Sequence, residues 1–278
     1  VPTADGLEFH SPQEYIHHLR EYVFRGLSFS GGEPFLKFEK VCEFLTAIRA
    51  EFGKDFHVWL YTNGKLATPD RIKKLADFRL NEILYDISAK DYVLSPVRTA
   101  REFVKYVGVE IPAIPEDSDR LTGLLHELDD IGVDFLNIHQ LFVNPENKKA
   151  FDRRGYHYAR GPLLTVIESE HAALRLIDYA LTKKIRTPIN YCTATYKEKY
   201  QYLGTSKRVR HKFKLKTGEE ITDAGFVRYF VMGVDGKSGG IVVSPEYLLK
   251  NRGWTKVSLF YDRVHFVEYR EGSETAHR

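Results

Sequence analysis

Between residues 8 and 192 the hydrophobic positions alternate between two patterns along the chain. Short, nearly continuous apolar runs are typical of strands buried on both faces, and apolar residues at every third or fourth position are typical of helices. The alternation predicts an α/β fold with a parallel sheet, either doubly wound or closed as a (β/α) barrel. The six predicted strands cover 24–29, 57–62, 82–87, 106–111, 135–139 and 187–192.

Capping residues mark where several of the intervening helices begin or end. Ser11 is followed by Pro12 and then by Glu14, an order typical of a capping box with proline in the first turn. Thr68 and the proline after it repeat this arrangement, and Gly132 suits the left-handed residue that closes a helix. These signals predict helices that begin after Ser11 and Thr68, and one that ends at Gly132.

From about residue 193 the pattern changes. The segment 196–216 contains eight Lys or Arg residues interleaved with aromatic residues, and hairpin-like runs follow it. We therefore predict two domains, an α/β domain over 1–192 and a basic segment with a small, mostly β appendage over 193–278. The predicted β runs cover 212–216, 225–232, 240–243 and 257–269.

The composition excludes several classes of protein. Of 278 residues, 43% are hydrophobic and 28% are charged, which excludes a disordered or fibrous chain. No stretch reaches the roughly 18 apolar residues of a membrane span, so we expect no membrane partner. Cys42 and Cys192 form neither a disulfide framework nor a paired metal motif, which favours a reducing, cytoplasmic location. The net charge of +3 gives no global indication of nucleic-acid binding.

Polar residues recur at the carboxyl ends of four predicted strands, although a buried parallel strand is expected to be apolar. In α/β folds ligands bind at this edge of the sheet, so we expect these residues to form one site, which we call the mouth. The four groups are Ser30-Gly31-Gly32-Glu33-Pro34, Thr62-Asn63-Gly64, Asp86-Ile87-Ser88 and Asn137-Ile138-His139-Gln140.

The segment from Ser30 to Pro34 is the most specific of the four. Its two glycines allow the backbone to approach a ligand closely. Pro34 keeps Glu33 out of the helical region, so we expect the Glu33 carbonyl and carboxylate to point outward. Such acceptors suit an ammonium group, whereas a phosphate would need the amides and lysine of a P-loop, and that motif is absent from the sequence.

On these residues the chain resembles the radical S-adenosylmethionine (SAM) superfamily. Within it, the chain is similar to the activating enzymes for glycyl-radical enzymes and their uncharacterised relatives. The resemblance covers about residues 10–192 and implies a partial (β/α)6 TIM-like barrel lacking its N-terminal strand and cluster loop. It rests on the order and spacing of Ser30-Gly31-Gly32-Glu33-Pro34, Leu60-Tyr61-Thr62-Asn63-Gly64, Tyr85-Asp86-Ile87-Ser88 and the run 111–115.

The resemblance implies SAM and a [4Fe–4S] cluster as cofactors. The methionyl amino group of SAM would lie on Gly31, Gly32 and Glu33, and the adenosine beside the strand that ends in His139 and Gln140. The rest of the implied SAM site comprises Ser30, Pro34, Thr62, Asn63, Asp86 and Ser88. Ser88 stands where many activating enzymes have the lysine of an Asp-x-Lys pattern, a departure that weakens the activase assignment and leaves SAM binding intact.

The CxxxCxxC loop that holds the cluster in this superfamily is absent from the sequence. Cys42 and Cys192 cannot replace three closely spaced thiolates. The chain begins with Val1 and its single methionine is Met232, so we expect the cluster cysteines upstream of Val1 and expect the chain alone to be inactive.

The implied reaction is reductive cleavage of SAM to a 5′-deoxyadenosyl radical that abstracts hydrogen from a substrate. An electron donor such as flavodoxin or ferredoxin is the implied partner. We assign no catalytic residue, because the cofactors carry the chemistry.

The substrate must be recognised by segments outside the shared motifs. The insertion 143–165 would cover the mouth or form a solvated loop, and its candidate residues are Arg153, Arg154, Tyr156, His157, Tyr158 and Arg160. The basic segment 196–216 would receive RNA, a protein or a peptide, or would remain a solvated edge. For His139, packing is favoured over a metal site, because a lone histidine rarely makes one.

Two alternatives remain. A cluster-free (β/α)-barrel lyase or hydrolase predicts a second carboxylate or a lysine that converges with Glu33, Asp86 or Glu110. An RNA- or protein-binding module built on a degenerate SAM barrel predicts affinity for nucleic acid that falls with salt.

Overall fold

A computed structural model describes residues 1–161, 163–202, 204, 208, 219–221, 227–233, 240–243, 257–261 and 268–269. The chain divides into two compact units. The first consists of Val1–Pro2 and Glu8–Glu198, and the second of Thr3–Leu7 and Lys199–Arg278. Among the helices that are described, none is long and apolar enough to cross a membrane.

The first unit contains a six-stranded parallel sheet. Each strand pairs with the next one in sequence, so the order in the sheet follows the chain without a reversal. A doubly wound sheet has a point at which this order reverses, and the described sheet has none. The strands are β1 (Gly26–Phe29), β2 (His57–Thr62), β3 (Glu82–Tyr85), β4 (Tyr106–Pro112), β5 (Phe135–His139) and β6 (Ile189–Cys192).

Helices alternate with these strands. Ser11 and Thr68 cap the helices that follow them by accepting hydrogen bonds from the amides of Glu14 and Arg71. Gly132 ends the helix before it at a φ of 72°. The predicted helix boundaries are thereby confirmed. The helices are α1 (Pro12–Glu21), α2 (Phe38–Phe52), α3 (Pro69–Asp77), α4 (Ser95–Phe103), α5 (Ser118–Ile131), α6 (Lys148–Arg154) and α7 (Ile167–Lys183).

Two strand boundaries differ from the prediction because a carboxylate accepts hydrogen bonds from backbone amides next to the strand. β3 ends at Tyr85, because Asp86 accepts the amide of Ser88 and begins a short 3₁₀ turn. β6 begins only at Ile189, because the preceding amides of Arg186 and Thr187 donate to the carboxylate of Asp129. Side chains of this kind offer the backbone an alternative to the ladder of the sheet.

One face of the sheet packs against the helices. Leu60, Ile83, Val109 and Ile138 lie on this face and belong to one core together with the apolar faces of the helices. Cys42 lies in this core on α2, as its position on the apolar stripe predicted. Burial of this face is the main favourable contribution to the fold.

The opposite face of the sheet, which we call the open face, carries Trp59, Tyr61, Glu82, Glu110 and Asn137. Strand pairing places Trp59 beside Glu82 and Glu110 beside Asn137, so their side chains point to the same side. All five are half-buried, although none belongs to the core that the helices cover.

The second unit contains short antiparallel strands. Glu219–Ile221, Val227–Gly233, Gly240–Val243, Val257–Tyr261 and Glu268–Tyr269 form one sheet. The predicted β runs 225–232, 240–243 and 257–269 overlap these strands, and their residues 225–226 and 262–267 lie outside the described part of the chain. The predicted run 212–216 lies outside the described residues.

Candidate functional site

The mouth begins where β1 ends. Gly31 and Gly32 have φ values of 82° and 53°, in the left-handed region that favours glycine. A Cβ built on either residue would meet no atom within 4 Å, so the turn borders open space. Ser30, Gly31 and Gly32 are exposed, and together they form a glycine-lined edge that a ligand can approach.

Glu33 holds the first two strand ends together. Its Oε1 accepts the amide of Phe35 at 3.1 Å and the hydroxyl of Thr62 at 2.9 Å, and its Oε2 accepts the amide of Asn63 at 2.8 Å. The expectation that this carboxylate points outward is therefore wrong. The extended backbone of Glu33 before Pro34 is as predicted, at a φ of −131°, but one neighbouring amide and two donors at the end of the next strand bind the side chain.

Thr62, Asn63 and Gly64 form the second part of the mouth. The Thr62 hydroxyl accepts the amide of Gly64 at 3.0 Å while it donates to Glu33. The Asn63 side chain accepts the amide of Lys65 at 2.9 Å, which closes the turn. These side chains shape the loop, and Asn63 is left half-buried beside Glu33.

Gly64 gives a direct test of this loop. Its φ is 74°, and an added Cβ would lie 3.3 Å from Cδ1 of Tyr85. We expect Gly64→Ala to lower the free energy of unfolding by about 1–2 kcal/mol, because it combines a left-handed alanine with a tight contact. Urea denaturation measures this loss. The control is Gly123→Ala on α5, where the Cβ meets nothing within 4 Å and should stabilise by about 0.5–1 kcal/mol; equal effects would contradict the prediction.

The third part of the mouth is a strained turn after β3. Asp86 Oδ1 accepts the amide of Ser88 at 3.1 Å and its hydroxyl at 2.5 Å, so these two predicted site residues bind each other. Asp91 and Tyr92 then adopt left-handed φ values of 52° and 57°, which cost energy in residues other than glycine. The Tyr92 hydroxyl donates to Asp117 at 2.7 Å, which fastens the turn to the segment after β4.

On the open face a charged cluster lies at the ends of β4 and β5. His139 Nε2 lies 3.1 Å from Glu110 Oε1, and the ammonium of Lys197 contacts His139 Nδ1. His139 is therefore held between a carboxylate and an ammonium group. The amide of Asn137 also donates to Glu110, at 3.4 Å.

The electrostatics of this cluster favour a charged carboxylate at Glu110. Burial raises the pKa of Glu110, but the hydrogen bond and the electrostatic attraction of His139, the hydrogen bond from Asn137 and the positive charge of Lys197 outweigh it, so the pKa is lowered below its ordinary value. The same carboxylate adds to the burial that raises the pKa of Tyr61 on the neighbouring part of the open face.

Gln140 and Cys192 complete this end of the mouth. The Gln140 side chain donates to Glu170 at 3.3 Å and accepts the amide of Ala194 at 3.1 Å, so it fixes the segment after β6. Cys192 is buried beside His139 in the strand pairing. Burial raises the pKa of the Cys192 thiol, partly offset by Lys197.

Described residues of the insertion 143–165 lie beside the segment that follows β4. The insertion contains α6 and a hairpin of Tyr158–Ala159 with Thr165–Val166. The Tyr156 hydroxyl donates to Glu116, just after β4, at 2.5 Å. Burial and this hydrogen bond raise the pKa of Tyr156 to about 12. The basic segment 196–216 falls largely outside the described residues.

The residues that are described do not fit a [4Fe–4S] cluster. Among them, no group of three or more His, Cys, Asp or Glu is arranged to hold a metal ion. Cys42 and Cys192 are both buried, and burial raises the pKa of each thiol, whereas a cluster ligand must be a thiolate. We derive no chemical step through a cluster from these residues.

The strand pairing brings the predicted site residues to one edge of the sheet. Those from Ser30 to Ser88 are linked through Glu33 and through the amide of Asp86, which donates to the carbonyl of Thr62. His139 and Gln140 lie two strands farther along. Sequence reasoning missed the role of Lys197. The signal for its partners was visible, because Glu110 interrupts an apolar strand.

Two comparisons relate the chain to known proteins. A family model described as "4Fe-4S single cluster domain" matches residues 5–87. A protein of Methanocaldococcus jannaschii named "Putative glycyl-radical enzyme activating enzyme" is 28% identical over 235 residues, which are 80% of this chain and 60% of that protein. The chain thus spans about 60% of the length of this relative. The comparisons confirm the resemblance to the radical SAM enzymes that the strand-end motifs predicted.

Proposed function

We propose that the first unit binds SAM at the mouth and belongs to a radical SAM enzyme of the activating type. The observation that carries this proposal is the exposed, left-handed Gly31–Gly32 turn beside a fixed Glu33. Its open space accepts a ligand backbone, and the nearby carbonyls and negative charge suit an ammonium group. When bound, SAM supplies the 5′-deoxyadenosyl group on which the chemistry of this superfamily depends.

We further propose that the sheet curves as part of a (β/α) barrel. The strand order without reversal supports this, because each crossover leads to the neighbouring strand. The open face gives independent support: its five named side chains are half-buried although they lie outside the core that the described helices form, as they would on a concave surface.

Within this proposal each part of the mouth has its own task. Gly31 and Gly32 would hold the amino group of SAM, and Glu33 would keep their loop in place. Thr62, Asn63, Asp86 and Ser88 would shape the adjoining wall, and His139 and Gln140 would lie on the nucleoside side. The substrate would enter past the insertion 143–165, with Arg154 and Tyr156 fixed on Glu116 at its rim.

Isothermal titration of the chain with SAM tests the proposal. We expect Gly32→Val to weaken SAM binding at least about tenfold, because a β-branched residue disfavours the left-handed region and would occupy the ligand's space. The matched control is Gly53→Val at the end of α2, which also has a positive φ and open space around it. A wild-type chain without measurable affinity, or equal affinities in the two variants, would contradict the proposal.

A second candidate is a cluster-free barrel lyase or hydrolase. It is favoured by one observation: His139 lies between Glu110 and the ammonium of Lys197, so a lysine is near one of the carboxylates that this alternative names. Turnover of a carbonyl or ester substrate in air, without iron and without SAM, would support it. Binding of SAM that competes with no such substrate would count against it.

A further inference from the structure

Two adjacent carboxylates after β4 hold two separate segments of the first unit. Glu116 Oε2 accepts the hydroxyl of Tyr156, from the insertion, at 2.5 Å. Asp117 Oδ2 accepts the hydroxyl of Tyr92, from the turn after β3, at 2.7 Å. Burial and the neighbouring carboxylate raise the pKa of both tyrosines, so both hydroxyls remain donors. The insertion and the turn therefore share one anchor, the 3₁₀ turn Pro115–Asp117.

The anchor is short enough to move as one piece. A 3₁₀ turn has three residues, so the side chains of Glu116 and Asp117 leave it in directions about 120° apart. Ser118 closes the turn, because its amide and its hydroxyl both donate to the carbonyl of Pro115. Fixing one carboxylate fixes the turn, and a fixed turn keeps the other carboxylate within reach of its tyrosine. The two tyrosine contacts are therefore expected to strengthen each other.

The turn after β3 carries backbone strain that its contacts must hold. Asp91 and Tyr92 have left-handed φ values of 52° and 57°, and such conformations persist only where the surrounding structure fixes them. Arg120 donates to the side chain and to the carbonyl of Asp91, each at 2.6 Å, and its guanidinium lies over the Tyr92 ring. Asp117 holds the other end of the tyrosine. We call these two residues the strained pair.

The strained pair is bonded directly to the mouth. The amide of Tyr92 donates to the carbonyl of Ile87 at 2.8 Å, and Ile87 lies between Asp86 and Ser88, which bind each other. Asp86 is exposed and Ser88 is half-buried, so a ligand can reach both. A ligand that prefers this arrangement to a relaxed one stabilises the strained pair.

On the other side of the anchor, Tyr156 sets the position of α6. The ring of Phe151, which is buried on α6, lies edge-on to the Tyr156 ring with centroids 5.5 Å apart. Arg154, the last residue of α6, donates to the Tyr156 hydroxyl at 3.1 Å and reaches Glu116 at 3.5 Å. Residues 148–156, which we call the arm, are thus tied to the anchor at one carboxylate.

We infer that Glu116 and Asp117 are positioning residues that couple the insertion to the mouth. A ligand at Asp86 and Ser88 secures the strained pair on Asp117. The anchor then stiffens, and Glu116 holds the arm in place for the substrate. This inference rests on the proposed function and adds an order to it, because SAM binding prepares the substrate side. By linkage, the fastened arm strengthens SAM binding by the same factor.

Hydrogen exchange of the full chain, with and without saturating SAM, tests the inference. In the wild type SAM is expected to slow exchange of the α6 amides at least about fivefold. Tyr92→Phe removes a hydroxyl outside the insertion and is expected to abolish this slowing, an effect that a merely structural role would not produce. The matched control is Tyr179→Phe, which removes a hydroxyl 3.0 Å from His126 Nε2 and should retain the slowing.

Isothermal titration with SAM measures the coupling from the other direction. Tyr156→Phe is expected to lower the affinity for SAM about fivefold, although Tyr156 lies outside the proposed SAM site. A variant that combines Tyr92→Phe with Tyr156→Phe should lose less than the product of the two separate losses, because both substitutions break the same coupling.

Unchanged α6 exchange in a wild-type chain that binds SAM would overturn the inference and leave the proposed function standing. Slowing that persists in Tyr92→Phe, or losses that simply multiply, would do the same. If Tyr92→Phe does not fold, Asp117→Asn weakens the same hydrogen bond from the acceptor side and takes its place. A wild-type chain without affinity for SAM would overturn the inference together with the proposed function.

Discussion

Replacing Glu33 with glutamine is expected to lower the free energy of unfolding by about 3 kcal/mol and to weaken SAM binding more than tenfold. Three donors converge on its two oxygens, namely the amides of Phe35 and Asn63 and the hydroxyl of Thr62. A glutamine has one acceptor oxygen and one NH₂ group, so in either orientation the NH₂ would face an N–H donor. Each hydrogen bond to a charged partner is worth about 1.5 kcal/mol or more, and a donor left unsatisfied adds to the loss.

The matched control for this prediction is Glu43→Gln. Glu43 is exposed on α2 and pairs with Lys40 at 2.9 Å, so its loss should cost less than about 1 kcal/mol. Urea denaturation and titration with SAM give the two readouts. Unchanged stability in Glu33→Gln would show that the three hydrogen bonds do not hold the strand ends. Lost stability with full SAM affinity would show that the loop held by Glu33 does not contribute to SAM binding.

The sequence was enough to predict the six strands of a parallel sheet and one edge of the site. His57–Thr62 and Phe135–His139 were predicted to the residue, because apolar runs and flanking polar residues are local signals. The convergence of Ser30, Thr62 and Asp86 followed from the rule that parallel strands present their carboxyl ends together.

The sequence could not show side-chain orientations, contacts between distant residues or the closure of the sheet. Pro34 restricts the backbone of Glu33, but nothing local reveals that donors from the next strand turn its carboxylate inward. Lys197 lies in a basic run and is 58 residues from His139, so composition alone suggests a solvated side chain. The closure of a barrel likewise depends on the twist of the whole sheet.

The open face holds two carboxylate–histidine pairs whose effects on stability are expected to depend on pH with opposite signs. Glu110 pairs with His139 at 3.1 Å, and Glu82 pairs with His57 at 3.0 Å at the opposite end of the sheet. The pKa of Glu110 is lowered below 4.5, because hydrogen bonds and Lys197 outweigh burial. The pKa of Glu82 is raised above 4.5, because burial outweighs the hydrogen bond from His57.

The signs follow from proton linkage. Glu110 contributes stability that is complete above pH 4.5 and is lost as the pH falls through its lowered folded-state pKa. Ionised Glu82 lowers the free energy of unfolding. This destabilisation is complete above its raised folded-state pKa and disappears as the pH falls below 4.5. We therefore expect Glu110→Gln to lose about 2–3 kcal/mol near pH 6, as for one partner removed from a half-buried pair, and to approach the wild type in acid.

Urea denaturation at constant ionic strength between pH 6 and pH 3.5 measures both differences. For Glu82→Gln the stability of the wild type relative to the variant should rise as the pH falls. For Glu110→Gln it should decline over the same range. Since both substitutions remove one carboxylate beside one histidine, the global charge change is the same, and only the local environments can make the slopes opposite. Parallel slopes would mean that His139, Asn137 and Lys197 together do not stabilise the charge on Glu110, and the cluster at the mouth would lose its electrostatic basis.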